Sequence, residues 1–509
     1  MQCEEAPPAR TGLLFNIRSM SVFIAYRFLI TIELLLLNIL RMRSDENVKY
    51  LCDSLLKQIG MIIIILSATT ACNNDHNKKV DVPVQPVINA IVAETTVLAT
   101  IPASGKLYAP NAQKGGGDTP RILINDHGKG SAYIMYEGDN VHVVHNGHIG
   151  KAYKKIDNLS LSPDGKRVAY GILINEKRCI VLDGREGAFY VDVWDPIFSP
   201  DNRHIAYIAQ IDDKSHIVID DRITDEAYPS VLSGNPVFSG DSSKVAYHLI
   251  PGGNRIGRLI VSNLDLKLQK TWDCSNEELI ANRDKTRIAI ISPNSGKQRV
   301  LDINFIQPDV VKEGPLYDRI SNVSFGSDGV TLTYVAFKGK ERFLVMNGRE
   351  ELLPDGELRE SPVTMPDSRG VGVLILDKDG FYLYQGFMVN SLPAKRYQEA
   401  AGLVYNKDCS QHAFIARTVK RIYMVVNGKE GPSFDMIVKP MFSPDGTLLI
   451  YRARKDGKRF VVVADRNGKT VRQHPSYEMV YDTVFTADSK SVAYGVKDGD
   501  KLVWKVEKL

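Results

Sequence analysis

The chain has 509 residues, of which 44% are hydrophobic and 24% charged. This is the composition of a globular protein with a large core, and it excludes a disordered or collagen-like chain. The formal net charge of +4 is small for this length, and the basic residues do not form a stripe along the sequence. Both observations argue against nucleic-acid binding. Six cysteines do not make a disulfide framework in so long a chain, and we expect Cys179, Cys274 and Cys409 to be free thiols.

Residues 1–71 are predicted to be an N-terminal hydrophobic region that ends in a signal peptide. Residues 20–40 are long enough to span a bilayer, but they contain Arg27 and Glu33, each of which is costly at mid-membrane depth. The next apolar run, residues 60–66, is too short to span and follows basic residues, which is the order of a secretory signal peptide.

The end of this region resembles the lipobox of bacterial lipoproteins, in which a cysteine preceded by small residues is lipidated and becomes the mature N-terminus. Ala71 and Cys72 fit that pattern, whereas Thr69 stands where the family usually has leucine. The resemblance implies a lipid on Cys72 and a location in the bacterial cell envelope. An uncleaved anchor and an unmodified thiol are the alternatives.

Residues 72–118 are predicted to be a tether and linker, because a polar run follows Cys72 and three glycines stand at 115–117. Residues 119–509 are predicted to fold into one domain built from repeats. Within the linker, the run Thr96 to Ala99 has strand character and could complete the last repeat, which ends at Leu509 before its full set of strands.

The repeat is a unit of 37 to 44 residues, measured between turn aspartates in Ser-Pro-Asp-Gly or related sequences. An aromatic residue usually follows six residues later, and another aromatic stands eight residues before the end of the first strand. Each unit contains four short strands separated by tight-turn signals. The ten aspartates are Asp126, Asp164, Asp201, Asp241, Asp284, Asp328, Asp367, Asp408, Asp445 and Asp488.

Such a period predicts an all-β fold, a β-propeller of four-stranded antiparallel blades. Ser162-Pro163-Asp164-Gly165 followed by Ala169-Tyr170 resembles the TolB-type propeller repeat of bacterial envelope proteins. The resemblance covers roughly residues 120 to 509 and implies a fold rather than an activity. Ten repeats predict one wide propeller; seven or eight blades, or two smaller propellers, are the alternatives.

Because successive strands reverse direction, the repeated turns should lie on one face and the variable loops on the other. Binding residues tend to occupy variable loops on a rigid scaffold. We expect them to approach the central channel, with Trp194 as the first residue to test, although solvated blade corners explain the same residues. The candidate binding residues are Asp157, Asn158, Trp194, Asp195, Asn235, Arg319, Asn322, Lys439 and Asp482.

The sequence predicts no metal site, no cofactor and no catalytic residues. His142, His145 and His148 are close in sequence, but the first two are three apart on a predicted strand and therefore point to opposite faces. The turn aspartates are explained by turn formation, and neither a nucleophile elbow nor a P-loop is present.

The sequence therefore favours an exported, membrane-tethered and monomeric propeller. It would act as a binding or scaffold module for an envelope protein, a peptide or a glycan. The alternative is an envelope enzyme, a lyase or hydrolase acting on carbohydrate or peptide at the mouth of the channel.

Overall fold

The structure, a computed structural model, describes residues 92–107, 122–125, 128–224, 235–249, 256–267, 269–275, 279–388, 395–419 and 421–509. All regular secondary structure in these ranges is β-strand, and it forms ten antiparallel sheets. No helix in the described ranges is long and apolar enough to cross a membrane. The predicted signal peptide, Cys72 and the first part of the tether lie outside the described residues.

We number the sheets as blades 1 to 10 in chain order. The first strand, β1 (Val92–Thr100), belongs to blade 10. Blade 1 contains β2 (Gly105–Leu107), β3 (Ile122–Ile124), β4 (Ser131–Glu137), β5 (Asn140–His145) and β6 (His148–Ile149). Blade 2 contains β7 (Ile156–Leu161), β8 (Val168–Ile174), β9 (Lys177–Leu182) and β10 (Arg185–Glu186). Blade 3 contains β11 (Asp192–Val193), β12 (Ile197–Phe198), β13 (Ile205–Ile211), β14 (Lys214–Ile219) and β15 (Arg222–Ile223).

Blade 4 contains β16 (Val237–Phe238), β17 (Lys244–Leu249), β18 (Gly257–Asn263) and β19 (Gln269–Cys274). Blade 5 contains β20 (Ile280–Ala281), β21 (Arg287–Asn294), β22 (Lys297–Asn304) and β23 (Val311–Glu313). Blade 6 contains β24 (Arg319–Phe325), β25 (Leu332–Lys338), β26 (Glu341–Met346) and β27 (Arg349–Leu352). Blade 7 contains β28 (Glu357–Leu358), β29 (Val363–Thr364), β30 (Val371–Asp377) and β31 (Gly380–Gly386).

Blade 8 contains β32 (Glu399–Tyr405), β33 (His412–Arg417), β34 (Ile422–Val426) and β35 (Lys429–Phe434). Blade 9 contains β36 (Met436–Phe442), β37 (Leu449–Lys455), β38 (Lys458–Ala464) and β39 (Thr470–Gln473). Blade 10 contains β40 (Met479–Phe485), β41 (Ser491–Asp498) and β42 (Lys501–Lys508), with β1 as its outer strand.

Each blade is an antiparallel meander whose first strand lies at the channel edge, as in propellers generally. First strands of neighbouring blades contact one another, for example β32 and β36. In blades 1, 3 and 7 the first strand is split into two short pieces that pair with the same second strand. The Ser-Pro-Asp-Gly turns and the third turns share one face, which we call the turn face. The second turns and the blade-to-blade connections form the connection face.

Burial on both sides of each sheet explains the apolar second and third strands. The stretch Val168–Ile172 of β8 contains five consecutive buried residues, as expected for a strand covered by a sheet on each side. Ten hydrophobic clusters each join one blade to the next around the ring. Cys179 and Cys274 are buried in two of them, and the three described cysteines are free thiols.

The ring closes between blade 10 and blade 1. Ile124 and Tyr133 of blade 1 pack in one cluster with Tyr481 and Trp504 of blade 10. The predicted single propeller of ten blades is therefore confirmed, and the smaller or divided propellers are not observed.

The N-terminal strand completes blade 10. β1 pairs with β42 in antiparallel register from Val92 opposite Glu507 to Thr100 opposite Lys501. The predicted closing strand, Thr96 to Ala99, lies within β1. The propeller therefore includes residues 92–107, ahead of the expected boundary at residue 119.

The two aromatic markers of the repeat contact each other at the blade interfaces. Tyr153 pairs through its backbone with Val141 of blade 1, and its ring meets that of Tyr170 in blade 2 edge-on, with centroids 6.2 Å apart. Such aromatic pairs contribute about 0.5–1.5 kcal/mol beyond the area they bury. Equivalent pairs are Tyr190 with Tyr207, Tyr317 with Tyr334, Tyr397 with Phe414, Phe434 with Tyr451, and Tyr477 with Tyr494.

The repeated aspartates form the turns, as predicted for those the structure describes; Asp126 lies outside the described residues. Asp164 accepts a hydrogen bond from the Ser162 hydroxyl (2.7 Å) and another from the Lys166 amide (3.0 Å). The Ser162 hydrogen bond holds the pKa of Asp164 below its ordinary value. The Asp164 amide donates to the Asn202 side chain of blade 3 at 2.9 Å, so this turn also joins two blades.

Candidate binding site at the channel-side bulges

The inner strands of five blades carry the same irregularity near the connection face. Their pairing with the second strand is interrupted by a β-bulge, which re-aims side chains and is common beside functional sites. We call these segments the bulge ring. Its members lie between Asp157 and Ser160, Ser321 and Ser324, Ala401 and Val404, Val438 and Met441, and Val480 and Thr483.

Four of these bulges contain a residue in the left-handed region. The φ angles are 56° at Asn158, 54° at Asn322, 67° at Gly402 and 50° at Lys439. Glycine and asparagine adopt this conformation readily, whereas lysine does so at a cost of about 1–2 kcal/mol. The backbone geometry is thus repeated while the side chain presented at the channel edge changes from blade to blade.

Six of the predicted site residues lie on the innermost strands and not in loops. For these six the expectation of loop positions was wrong, because asparagine and aspartate, which favour turns, here occupy or adjoin bulges within continuous strands; Trp194, Asp195 and Asn235 do lie outside the strands. The six strand residues are Asp157 and Asn158 on β7, Arg319 and Asn322 on β24, Lys439 on β36, and Asp482 on β40.

At the junction of blades 2 and 3, three charged side chains meet beside the bulge. Arg178 donates to Asp157 at 2.7 Å and lies 3.0 Å from Asp192. The hydrogen bond with Asp157 raises the pKa of Arg178, so this guanidinium is firmly charged. The side-chain amide of Asn158 donates to the Val193 backbone carbonyl at 3.1 Å. This hydrogen bond joins the bulge of blade 2 to the inner strand of blade 3.

At the junction of blades 9 and 10, two predicted residues are brought together. The Lys439 ammonium lies 2.8 Å from the Asp482 carboxylate, and both side chains are substantially exposed. Behind them, Arg452 donates to the Val480 carbonyl at 3.1 Å. Burial lowers the pKa of Arg452, and its Nε atom is buried with no hydrogen-bond partner in the structure.

The other predicted residues are spread around the ring. Arg319 is exposed, and its guanidinium lies 3.7 Å from the centroid of the Phe337 ring. Trp194 follows β11 and packs against the core between blades 3 and 4, so it is a packing residue as well as a candidate contact. Asp195 is its neighbour in the break between β11 and β12, and Asn235 is exposed ahead of β16.

The sequence analysis missed three residues of this region. Arg178 directly precedes the buried Cys179 of β9, and Arg452 lies between the buried Tyr451 and Ala453 of β37. A charge next to these apolar residues was the available signal. Glu360 lies between β28 and β29 and accepts a hydrogen bond from the Gly402 amide at 2.9 Å. No sequence signal indicates that contact, because the two residues belong to different blades.

The histidine group lies elsewhere, on the outer strands β5 and β6 of blade 1. His142 contacts the Gly150 carbonyl at 2.9 Å, and His145 contacts the Gly165 carbonyl at 3.1 Å. His145 and His148 line a cleft of about 490 Å³ at the turn face. In the part of the chain that the structure describes, no three His, Cys, Asp or Glu side chains are placed to hold a metal ion.

Comparison with known proteins finds likeness in structure only. No family model matches the chain, and no curated protein matches it. Among solved structures, TolB from Acinetobacter baumannii is 13% identical, with 54% of this chain and 80% of that one covered and a TM-score of 0.27. The β-propeller domain of the Trilobed protease from Pyrococcus furiosus is 11% identical (55% and 95% covered, TM-score 0.30).

Another similar structure is an oligogalacturonate lyase in complex with manganese, 14% identical, with 53% and 87% covered and a TM-score of 0.29. All three TM-scores are below 0.5. The site of this chain therefore has to be argued from its own residues.

Proposed function

We propose that this chain is an exported propeller, tethered to a membrane of the bacterial cell envelope through a lipid on Cys72, and that it acts as a binding or scaffold module. Its ligand is a protein segment, peptide or glycan that contacts the bulge ring. The tether supplies location and the propeller supplies the rigid surface.

One observation carries this proposal: a repeated backbone geometry presents different side chains. The bulges present an amide at Asn158 and Asn322, no side chain at Gly402 and an ammonium at Lys439. A rigid scaffold that holds variable polar groups at one edge is the usual arrangement of a binding surface.

The charges at the ring support recognition of a polar ligand. Both side chains of the Lys439–Asp482 pair are exposed. A charged group of a ligand can replace either partner at little cost, because exposed ion pairs contribute only about 0–1 kcal/mol. Arg319 offers a planar cation already stacked on Phe337, a geometry suited to carboxylate or amide oxygens.

Co-purification from detergent-solubilised envelopes tests the proposal. We expect the full chain to retain a ligand that is lost in the double variant Arg319→Ala with Asn322→Gly, while Lys166→Ala on the turn face retains it. Gly is chosen because it keeps the left-handed bulge. Loss of catalytic turnover in the same ring variant, with no retained ligand, would favour the enzyme alternative and contradict the scaffold proposal.

The tether has its own test. We expect Cys72→Ser to abolish incorporation of labelled fatty acid and to release the protein from the membrane fraction. Continued labelling of the Cys72→Ser variant would show that the lipid is not on this cysteine.

A further inference from the structure

The second hairpin of blade 9, which connects β37 to β38 on the connection face, concentrates positive charge. Lys455 pairs directly with Lys458 across the two-residue loop, and Arg454 pairs with Arg459 one step further along the ladder. Asp456 in the loop and Asp435, whose carboxylate accepts a hydrogen bond from the Asp456 backbone amide at 2.8 Å, supply two negative charges against these four cations. The two lysines are exposed.

Like charges directly opposite each other destabilise an antiparallel pair. The same hairpin position in two other blades has the opposite arrangement: Lys338 faces Glu341 in blade 6, and Asp498 faces Lys501 in blade 10. The fold therefore does not require cations here. Asp456 and Asp435 offset two of the four positive charges, and a negatively charged partner would offset the remaining two.

The surroundings of the hairpin add apolar surface. Met436, which pairs with Arg454, is 43% exposed, and Val419 in the corresponding hairpin of blade 8 is 78% exposed. Arg421, also in that hairpin, is exposed. Cations interleaved with exposed aliphatic groups fit a segment that alternates acidic and apolar side chains better than they fit a uniformly charged polyanion.

The position of β1 argues against a membrane surface as the occupant. β1 begins at Val92 opposite Glu507, at the turn face, and only its far end, Thr100, reaches Lys501 on the connection face. Lys501 is the blade 10 equivalent of Lys458. On the proposed function, β1 is the first described strand after the tether, and its N-terminal end lies at the face remote from the basic hairpin.

We infer that the basic hairpin, Arg454, Lys455, Lys458 and Arg459, is a docking site for an acidic peptide segment of a partner protein. The choice of a protein over a membrane rests on the proposed tether, whereas the charge argument stands without it. This surface is separate from the bulge ring, so either site can fail its test while the other passes.

The test measures binding and stability together. The full chain in detergent is titrated against a fluorescent peptide of about ten residues that alternates glutamate and leucine, with a glutamine–leucine peptide as the neutral control. We expect Lys458→Glu to weaken binding of the acidic peptide about tenfold or more. The same variant should keep or raise the thermal midpoint, because Lys455 then faces a carboxylate.

Lys501→Glu is the matched control, since it makes the same charge change at the same hairpin position of blade 10. We expect it to leave peptide binding within about twofold and to lower the thermal midpoint, because Asp498 then faces a carboxylate. Equal loss of binding in both variants would overturn the proposal in favour of a net-charge effect. Binding to phosphatidylserine vesicles without binding to the acidic peptide would overturn it in favour of a membrane surface.

Discussion

The turn face and the bulge ring repeat around the same propeller in opposite ways. On the turn face the side chains recur. A serine, threonine or asparagine side chain makes a hydrogen bond within the turn, the aspartate two residues later accepts hydrogen bonds, and the next residue is left-handed. In the bulge ring the backbone recurs while the side chains change. The recurring residue types of the turn face indicate a structural role. The bulge ring repeats only its backbone geometry, so its side chains can vary with the ligand.

The turn face also connects the blades. Ser368 donates to the Asp328 carboxylate of the preceding blade at 2.6 Å, and the Asp445 amide donates to Ser489 of the following blade at 3.0 Å. Turn residues therefore stabilise the ring as a whole. The predictions below separate this role from that of the bulge ring, beginning with the largest expected effect.

Acid should act on the turn face. Burial raises the pKa of Asp328, but hydrogen bonds from Ser368 and Thr331 outweigh it and lower the value to about 2. A carboxyl whose pKa is lower in the folded state stabilises the fold above its unfolded pKa, about 3.9, and loses that contribution as pH falls through its folded pKa. Several other turn aspartates share the lowered pKa.

We therefore expect the propeller to lose stability steeply between about pH 4 and pH 2, as followed by thermal melts monitored by circular dichroism. Asp328→Asn should reduce the pH dependence, whereas Asn322→Gly in the bulge ring removes no carboxyl group and should leave it nearly unchanged. A pH dependence that is unaltered by Asp328→Asn would contradict this assignment.

Glycine substitutions should distinguish the two regions next. A Cβ on Gly130 would overlap the backbone of Gly165 in the neighbouring blade, whereas a Cβ on Gly171 would meet the end of the Asp157 side chain. The backbone of Gly165 cannot move away as the Asp157 side chain can. We therefore expect Gly130→Ala to lower the free energy of unfolding by about 1–3 kcal/mol and Gly171→Ala by about 1 kcal/mol or less. Urea denaturation measures both, and equal costs would contradict the contrast.

The bulge itself should tolerate polar variety but not a β-branched side chain. Lys439 has a φ of 50°, which asparagine adopts readily and valine does not. Because this conformation costs lysine about 1–2 kcal/mol, we expect Lys439→Asn to raise the free energy of unfolding by up to about 1 kcal/mol and Lys439→Val to reduce it by about 1 kcal/mol. Similar values for the two variants would show that the left-handed bulge does not matter for stability.

Much of the fold was predictable because its signals are local. The turn aspartates and the paired aromatics repeat along the chain, and the contacts of Tyr153 and Tyr170 explain why both offsets recur. The bulges were not predictable, since Asn158 and Lys439 share a backbone conformation but no residue type. The contacts of Glu360 with Gly402 and of Lys439 with Asp482 cross between blades, and nothing in their spacing along the chain indicates them.

Site-specific photo-crosslinking in intact cells tests the central claim most directly. A photoreactive phenylalanine analogue is placed at Asp482 in the bulge ring, where the native side chain is 46% exposed, or at Lys166 on the turn face, where it is 82% exposed. The proposal predicts a discrete crosslinked adduct from position 482 and none from position 166. Adducts from position 166 with none from position 482 would show that the turn face, and not the bulge ring, is the binding surface.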